Sequence, residues 1–313
     1  MLATSACGGA EAGQNGSGGD GLSGTIRVDG SSTVAPLAES AAERFREENS
    51  GVQVTVGTSG TGGGFKKFCA GETDISDASR PIKDEEKAAC AAKGVTYQEL
   101  TVANDALSIV VNKEADFLDC ITTAQLKKIW APGSKVNNWK QVDPRFPDLP
   151  MKLYGAGTDS GTFDYFTDEI NGEEGASRTD YNATEDDNVT VQGVAGDEGA
   201  LGYLGFSYFE QNQNKMKALE VDGGDGCVAP SVETVQDGTY KPLSRPLFIY
   251  PTADLLERPE GEAFIEYVAE NTAAIAEEAL FVPLTDEQTT ELKDKVQQLK
   301  SQAGAEPTAS ATS

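Results

Sequence analysis

The segment VQVTVGTSGTGGGF, residues 52–65, changes from one structural pattern to another within a few positions. Valines alternate with polar residues over 52–56, which predicts a β-strand with one buried face. Glycine and hydroxyl residues follow over 57–64, and Phe65 and Phe68 then continue at helical spacing. The segment therefore predicts a strand, a tight turn and a helix in direct succession, the repeating unit of an α/β fold.

Two other segments have the same character, namely GSSTVAP at 30–36 and GTDSGT at 157–162. The start of a helix presents backbone N–H groups without intrahelical partners, and Ser or Thr hydroxyls add further donors. Such a turn can bind an anion without a formal positive charge. One turn of this kind is commonplace and can serve simply as a helix cap. Three in one chain indicate a tetrahedral oxyanion held by converging helix ends.

Strand patterns alternate with helical patterns along most of the chain, which is typical of a mostly parallel sheet flanked by helices. Ligands of such sheets bind at the carboxyl ends of the strands, so two facing α/β lobes would bring the three turns together. We predict lobe 1 from residues 25–102 and 247–301 and lobe 2 from residues 103–246, with a cleft that closes by a hinge motion. Between them, 96–102 and 106–112 predict two separate short strands.

The charge and the residue composition exclude several classes of function. The chain has 51 acidic and 25 basic residues, a formal net charge of −26, and no histidine. This acidity disfavours nucleic acid and anionic membranes as partners. The lack of histidine removes the commonest general base, the commonest zinc ligand and every Ser-His or Cys-His pair. We therefore expect a binding protein rather than an enzyme, with no metal and no cofactor.

Motifs that would indicate an enzyme are also incomplete. The turn at 57–64 lacks the Gly-Lys-Ser/Thr sequence of a P-loop and the Gly-x-Gly-x-x-Gly register of a dinucleotide site. Ser160 lies in TDSGT and not in a Gly-x-Ser-x-Gly nucleophile elbow.

Five cysteines divide into one near the start and four in the folded part. Their spacings match no zinc template. Four internal cysteines suit two disulfides in an oxidising compartment. We predict Cys69–Cys90 and Cys120–Cys227, each within one lobe; the alternative is that all four are buried free thiols.

The two ends of the chain differ from the rest. MLATSACGG at 1–9 is similar to the end of a bacterial lipoprotein signal, with small residues before Cys7. This predicts an acylated Cys7 that anchors the protein to the outside of a membrane, followed by a flexible tether up to residue 24. A polar tail is predicted at 302–313.

Five segments of the chain occur in a fixed order: DGSSTVAP (29–36), GTSGTGGGF (57–65), DISDASRPI (74–82), GAGTDSGTFDYF (155–166), and QGVAG (192–196) with ALGY (200–203). In this order they resemble one known family, the phosphate-binding component of high-affinity phosphate ABC transporters (PstS type), and most of all its SphX-like branch. The resemblance covers roughly residues 25–300.

The resemblance implies a type II periplasmic-binding fold, in which two α/β lobes are joined by two crossovers around a ligand cleft. It also implies a phosphate site in which hydroxyls and amides from both lobes surround the ligand. The residues it places there are Ser32, Thr33 and the Val34 amide from the first turn, Thr61 from the second, and Ser160, Gly161 and Thr162 from the third.

Two positions depart from the family's pattern. Many relatives have Arg where this chain has Ala156, and many have Asp where it has Ser79. We interpret Arg80, next to Ser79, as the principal cation, with Arg178 as the alternative, and we expect Ser79 itself to be among the phosphate ligands. Asp105 or Asp159 is then the candidate acceptor for the proton on phosphate.

The predicted function is extracytoplasmic capture of inorganic phosphate and its delivery to an ABC-transporter permease by a lipid-anchored monomer. Another oxyanion, such as sulfate, arsenate or molybdate, is the alternative ligand. A secreted phosphate-ester hydrolase and a cell-surface sensor or adhesin are alternatives of a different class.

Overall fold

The structure, a computed structural model, describes residues 21–303. Its strands are β1 Ser23–Gly30, β2 Gly51–Gly57, β3 Ile75–Ala78, β4 Leu100–Asn112, β5 Cys120–Thr122, β6 Lys152–Ala156, β7 Asn182–Thr184, β8 Ala200–Gly205, β9 Met216–Ala218, β10 Glu220–Asp222, β11 Cys227–Val228 and β12 Ser244–Pro251. Its helices are α1 Ala35–Glu48, α2 Thr61–Cys69, α3 Asp84–Ala92, α4 Thr123–Trp130, α5 Trp139–Val142, α6 Gly161–Phe166, α7 Asp187–Ala195, α8 Phe206–Gln211, α9 Val232–Gln236, α10 Ala253–Leu256, α11 Pro259–Glu278 and α12 Asp286–Ala303. A π-helical turn, Thr167–Asn171, continues α6.

Nine strands form one mixed sheet in the order β2-β1-β3-β12-β4-β8-β6-β7, with β9 also paired to β4. The strands β1, β2 and β3 are parallel to one another, as are β6, β7 and β8. Between these two parallel groups lie β12 and β4, which run antiparallel to each other. This is the two-lobed α/β architecture predicted from the sequence, and β4 and β12 are the strands that connect its halves; we call them the hinge strands.

The first hinge strand corrects one prediction. Residues 96–102 and 106–112 were expected to form separate strands, but β4 runs unbroken from Leu100 to Asn112. Its middle residues remain paired, because Asn104 bridges to Val282 and Asp105 lies opposite Arg245 of β12. The predicted lobe boundaries at 102/103 and 246/247 fall inside β4 and β12.

Each half of the sheet has its own hydrophobic core. In lobe 1, α1, α11 and α12 pack apolar residues such as Phe45, Phe264 and Leu299 against β1 and β12. In lobe 2, the largest cluster contains both tryptophans, Trp130 and Trp139, which are fully buried. The lobes are therefore separate packing units that share the hinge strands.

Both predicted disulfides are confirmed. Cys69 in α2 is bonded to Cys90 in α3 with a Cα–Cα distance of 4.2 Å, and Cys120 in β5 to Cys227 in β11 with one of 6.0 Å. One cluster among the described residues has the donor types of a metal site, Cys120, Glu220 and Cys227. Since its two sulfurs form a disulfide, it has no thiolate to offer a metal.

The predicted ends of the chain lie mostly outside the described residues, and this includes Cys7. At the other end, α12 continues to Ala303, two residues into the predicted polar tail. Over 21–303, no helix is both long and apolar enough to cross a bilayer.

Candidate functional site

The first two glycine and hydroxyl turns lie side by side at one edge of the lobe 1 sheet. They follow β1 and β2, which are parallel and in register, so both strands end at the same edge. The start of α2 packs closely on the end of β1, since a Cβ atom at Gly64 would lie 2.6 Å from the Gly30 Cα atom. Only a glycine at 64 permits this approach, which brings the second turn against the first.

The third turn approaches from lobe 2. It follows β6 and leads into α6, whose N-cap is Ser160. A Cβ atom at Gly161 would lie 2.9 Å from both the Cα and the N atoms of Thr33, and would overlap its hydroxyl. Gly161 is therefore in contact with Thr33 across the cleft. The structure has the cleft closed, with the first and third turns facing each other.

Three hydroxyl oxygens in these turns accept hydrogen bonds from the protein itself. The Thr33 oxygen accepts from Nη2 of Arg245 at 3.2 Å. The Thr61 oxygen accepts from the Ser79 amide at 3.3 Å, and the Ser160 oxygen from the Thr162 amide at 3.2 Å. A hydroxyl has one proton to donate as well as lone pairs to accept. Because the acceptor side is engaged, the hydroxyls of Thr33 and Ser160 can direct their protons toward an anion. The Thr61 hydroxyl also lies 3.2 Å from the Ser79 hydroxyl, and either of these two can donate to the other.

Two expected ligand groups already have partners within the protein. The Val34 amide, expected to contact the ligand, donates to the Ser31 carbonyl at 3.1 Å as part of the turn before α1. The Thr162 amide donates to Ser160, which leaves the Gly161 amide at the start of α6. Ser32 is half-buried in the first turn, next to Thr33.

Arg80, expected to be the principal cation, forms an ion pair with Glu86. Its Nη1 and Nη2 donate to the two carboxylate oxygens at 2.9 and 2.8 Å, and Nη1 also donates to the Pro81 carbonyl. Hydrogen bonding from Arg80 lowers the pKa of Glu86, although burial alone would raise it. The guanidinium is close to the second turn, 3.8 Å from a Cβ atom placed at Gly62, but the structure directs it toward α3.

Arg178, the alternative cation, is a structural residue of lobe 2. Its side chain is 4% exposed, and it donates to Asp180 through Nε and Nη2 and to the Ile129 and Val136 carbonyls through Nη1. The structure does not bring it to the three turns. Nothing in the sequence around Arg178 indicated that its side chain would be buried, although its partner Asp180 lies only two positions away.

The two candidate proton acceptors lie in different environments. Asp159 is exposed, and its amide donates to Glu185 at 3.3 Å. Asp105 is buried in the middle of β4, where burial raises the pKa of its carboxyl while the neighbouring Arg245 lowers it. Of the two, Asp105 is the one that the structure places next to Thr33, through Arg245.

Arg245 itself is the site residue that the sequence analysis missed. Its Nη2 donates to the Thr33 hydroxyl at 3.2 Å, and its Nε and Nη2 donate to Asp105 Oδ2 at 3.3 and 3.2 Å. One signal was available, because Ser-Arg-Pro occurs twice, at 79–81 and at 244–246. The second copy lies in no glycine-rich turn, so local pattern does not connect it with the site.

Two more carboxyls lie beneath the first two turns. Asp29 pairs with Lys67 at 2.6 Å and also bonds the Ser59 hydroxyl; burial alone would raise the pKa of Asp29, but these contacts lower it. Asp77 in β3 is fully buried, and neither of its carboxyl oxygens has a hydrogen-bond partner within the described part of the chain. Burial, with a smaller contribution from the Asp29 charge, raises the pKa of Asp77 to about 8.

Known proteins share both this sequence and this fold. The chain matches the PBP superfamily domain over residues 15–272. It is 50% identical over 262 residues to Protein SphX of Synechococcus elongatus, which covers 83% of this chain and 77% of that protein. It is 42% identical over 297 residues to the phosphate-binding protein PstS of Staphylococcus saprophyticus, which covers 94% of this chain and 90% of that protein.

The chain belongs to the PBP superfamily, among its SphX- and PstS-type members. A solved structure agrees with this assignment. The crystal structure of a possible phosphate binding protein from Planctomyces limnophilus is 46% identical and superposes with a TM-score of 0.85, covering 89% of this chain and 99% of that one.

One departure from the PstS-type pattern has a structural counterpart. Position 156, where the resemblance led us to expect Arg, is a buried alanine whose carbonyl accepts hydrogen bonds from Tyr181 at 2.7 Å and Tyr203 at 3.4 Å. In this PstS-type chain, the arginine in direct contact with a cleft hydroxyl is Arg245, which reaches the cleft from a hinge strand.

Proposed function

We propose that this protein binds inorganic phosphate between its two lobes and delivers it to an ABC-transporter permease when the cleft opens. The observation that carries the proposal is the closed contact of Gly161 with Thr33, which brings hydroxyl donors from both lobes to one place. The name of the phosphate-binding protein PstS and that of the solved possible phosphate binding protein support phosphate as the ligand. The proposed contacts are the hydroxyls of Thr33, Thr61 and Ser160, together with the Gly161 amide.

Hydrogen bonds can supply enough free energy for this site. A hydrogen bond to a charged group contributes roughly 1.5–3 kcal/mol net. Micromolar affinity corresponds to about 8 kcal/mol. The four proposed contacts therefore supply roughly 6–12 kcal/mol, a range that includes micromolar affinity, even though the protein's net charge of −26 opposes long-range attraction of an anion.

Asp105 is our candidate for the group that distinguishes phosphate from sulfate. At neutral pH phosphate carries a proton and can donate a hydrogen bond, whereas sulfate cannot. A buried carboxylate beside the ligand accepts the bond from phosphate, and leaves an unpaired, repelled oxygen when sulfate is present. Asp105 is buried and is directly bonded to the residue that contacts Thr33. Ser79, whose hydroxyl lies 3.2 Å from that of Thr61, has no charge and cannot take this role.

Isothermal titration of phosphate-stripped protein tests the proposal. We expect one saturable phosphate site per chain and no sulfate binding at the same concentrations. The Asp105→Asn variant should bind sulfate measurably. The absence of heat, together with an unchanged thermal midpoint at millimolar phosphate, would refute phosphate binding, and saturable binding of sulfate by the wild type would replace phosphate with a broader oxyanion class.

The cellular context is part of the same proposal. Two disulfides suit an oxidising, extracytoplasmic location, and the small residues before Cys7 suit lipid attachment there. We propose a lipid-anchored monomer with lobes at 25–102 with 247–301, and at 103–246. Incorporation of labelled palmitate by the wild type but not by Cys7→Ala, in a bacterial host, tests the anchor.

A further inference from the structure

The side chain of Arg245 touches three parts of the molecule that move relative to one another when the cleft opens. We propose that Arg245 is the cation of the anion site and also the link through which anion binding closes the two lobes; this rests on the phosphate-binding function proposed above. It replaces the sequence-based interpretation of Arg80 as the cation.

The position of Arg245 is set by the hinge strands. In the register of β12 with β4, Arg245 lies directly opposite Asp105. Nε and Nη2 both donate to Asp105 Oδ2, and the two side chains are 17% and 9% exposed. An ion pair fixed between two paired strands cannot follow either lobe alone. The cation is therefore present at the base of the cleft whether the lobes are apart or together.

The same guanidinium contacts one residue from each lobe. Nη2 donates to the Thr33 hydroxyl of lobe 1 at 3.2 Å, and the Arg245 Cζ atom lies 3.6 Å from the ring centroid of Tyr165 in α6 of lobe 2. The Tyr165 hydroxyl donates to the Pro242 carbonyl at 2.8 Å, which holds the ring in place. Because Thr33 and Tyr165 belong to different lobes, separating the lobes breaks at least one of these contacts.

Arg245 also has N–H groups that make no hydrogen bond within the described residues. Its Nη1 atom has no hydrogen-bond partner among residues 21–303, and it is not enclosed. Guanidinium carries five N–H groups in a planar fork that suits phosphate oxygens. By contrast, both Nη atoms of Arg80 bond Glu86, and Arg178 is bonded through all three of its nitrogens. Arg245 alone of the three contacts a cleft hydroxyl and keeps N–H groups for an anion.

The charge around Arg245 explains why its effect depends on the ligand. The carboxyls of Asp105, Asp164 and Glu169 are near enough for the arginine to lower their pKa values, against the larger effect of burial, which raises them. Without an anion the guanidinium is neutralised by Asp105. A phosphate bound at Thr33 accepts hydrogen bonds from the free Nη1 of Arg245 in the closed cleft, and so favours closure.

Isothermal titration with phosphate tests the assignment on four single variants. Removing one partner of a buried charge pair in an interface costs about 2–5 kcal/mol, so we expect Arg245→Gln to raise the phosphate Kd between about 30-fold and several thousand-fold. Arg245→Lys keeps the charge without the fork and should give a smaller loss. Arg80→Gln tests the competing assignment and should change Kd less than Arg245→Lys does. Arg145→Gln, on an exposed arginine paired with Asp143, is the matched control and should bind as the wild type.

The double variant Asp105→Asn/Arg245→Gln distinguishes direct contact of Arg245 with the anion from a purely structural role. In Arg245→Gln alone, Asp105 stays as an unpaired carboxylate that would itself repel an anion. The double variant removes that charge, so its Kd should remain at least about tenfold above that of Asp105→Asn if Arg245 contacts the anion. Recovery of the wild-type Kd in the double variant would mean that Arg245 serves only to neutralise Asp105, and would overturn the proposal.

Closure is measured separately by small-angle X-ray scattering. The radius of gyration of the wild type should fall when phosphate is added, and that of Arg245→Lys at saturating phosphate should fall less. If Arg245→Gln does not fold, Arg245→Lys decides: wild-type affinity and full closure in that variant overturn the proposal. If the wild type itself binds no phosphate, the proposed function fails instead, and the two failures are distinguishable.

Discussion

Gly161 of lobe 2 lies so close to Thr33 of lobe 1 that no side chain could be placed between them. A Cβ atom at 161 would lie 2.9 Å from the Thr33 backbone nitrogen. The two residues are 128 positions apart and belong to different cores, so this contact exists only while the cleft is closed. The absence of a side chain at 161 is therefore a requirement of the closed state and not of either lobe by itself.

Gly161→Ala should weaken phosphate binding without unfolding the protein. Overpacking a close contact costs about 1–3 kcal/mol, and here the cost falls on the closed state, so Kd should rise about 5- to 150-fold. Isothermal titration measures the effect. Gly205→Ala is the matched control, because a Cβ atom there would meet its nearest neighbour, Tyr208 Cδ2, at 3.9 Å. Equal affinities for the two variants would contradict the closed contact.

The Thr61 hydroxyl should contribute about as much to the free energy of phosphate binding as one hydrogen bond to a charged group. Thr61→Val keeps the shape but removes the donor, so the phosphate Kd should rise about 10- to 150-fold, corresponding to roughly 1.5–3 kcal/mol. Thr61→Ser keeps the hydroxyl and should stay within a few-fold of the wild type. We would abandon Thr61 as a ligand if valine and serine gave the same Kd.

Asp77 should make the folded protein less stable as the pH rises. Its carboxyl has a pKa of about 8 in the folded state, against 3.8 for an ordinary aspartate. Between these values the folded state binds more protons than the unfolded state, so stability falls with rising pH from about 4 to about 8. Asp77→Asn removes this loss. The difference in free energy of unfolding between this variant and the wild type should therefore grow by up to about 1.4 kcal/mol per pH unit.

Urea unfolding of the wild type and Asp77→Asn at pH 5, 6 and 7 measures this difference. The two proteins should be closest in stability at pH 5 and farthest apart at pH 7. Parallel stability curves would show that the folded Asp77 carboxyl ionises like an exposed one.

The two disulfides should differ in their accessibility to reductant. Cys120 and Cys227 are half-buried and exposed, whereas Cys69 is 4% exposed and Cys90 is fully buried. Dithiothreitol under native conditions should therefore reduce Cys120–Cys227 first. Alkylation followed by peptide mass spectrometry should find Cys69 and Cys90 unmodified until denaturant is added. Simultaneous modification of all four cysteines would contradict the burial of Cys69 and Cys90.

The sequence was sufficient for features set by local pattern. The glycine and hydroxyl turns predicted where helices begin, since α1, α2 and α6 each follow one of them, because turn chemistry acts over a few residues. Both disulfide pairings were also predicted correctly. Residues 103–105 lie between two predicted strands, and Asn104 and Asp105 are of types that usually favour turns. In β4, Asn104 is paired on both sides, to Pro246 and to Val282, and Asp105 is paired to Arg245, a tertiary effect that overrides their local preference.

The proposed cation, Arg245, could not be predicted in the same way. Arg245 is 140 residues from Asp105 and 212 from Thr33, so no local pattern connects them. Their proximity depends on the register of β12 against β4, which in turn depends on both lobes being folded. Arg80 was preferred because it adjoins a recognised motif, yet a glutamate six residues later pairs with it.

The antiparallel pairing of the hinge strands has a consequence for how the chain folds. Ala106 and Ser244 are direct neighbours in the ladder, so all of lobe 2 occupies the place of the loop in a β-hairpin. Closing so long a loop from an unfolded chain is entropically costly and slow. A lobe 2 that has already folded brings the two ends of that loop together. We therefore expect lobe 2 to fold first and the sheet of lobe 1 to be completed only afterwards, when β12 arrives between β3 and β4.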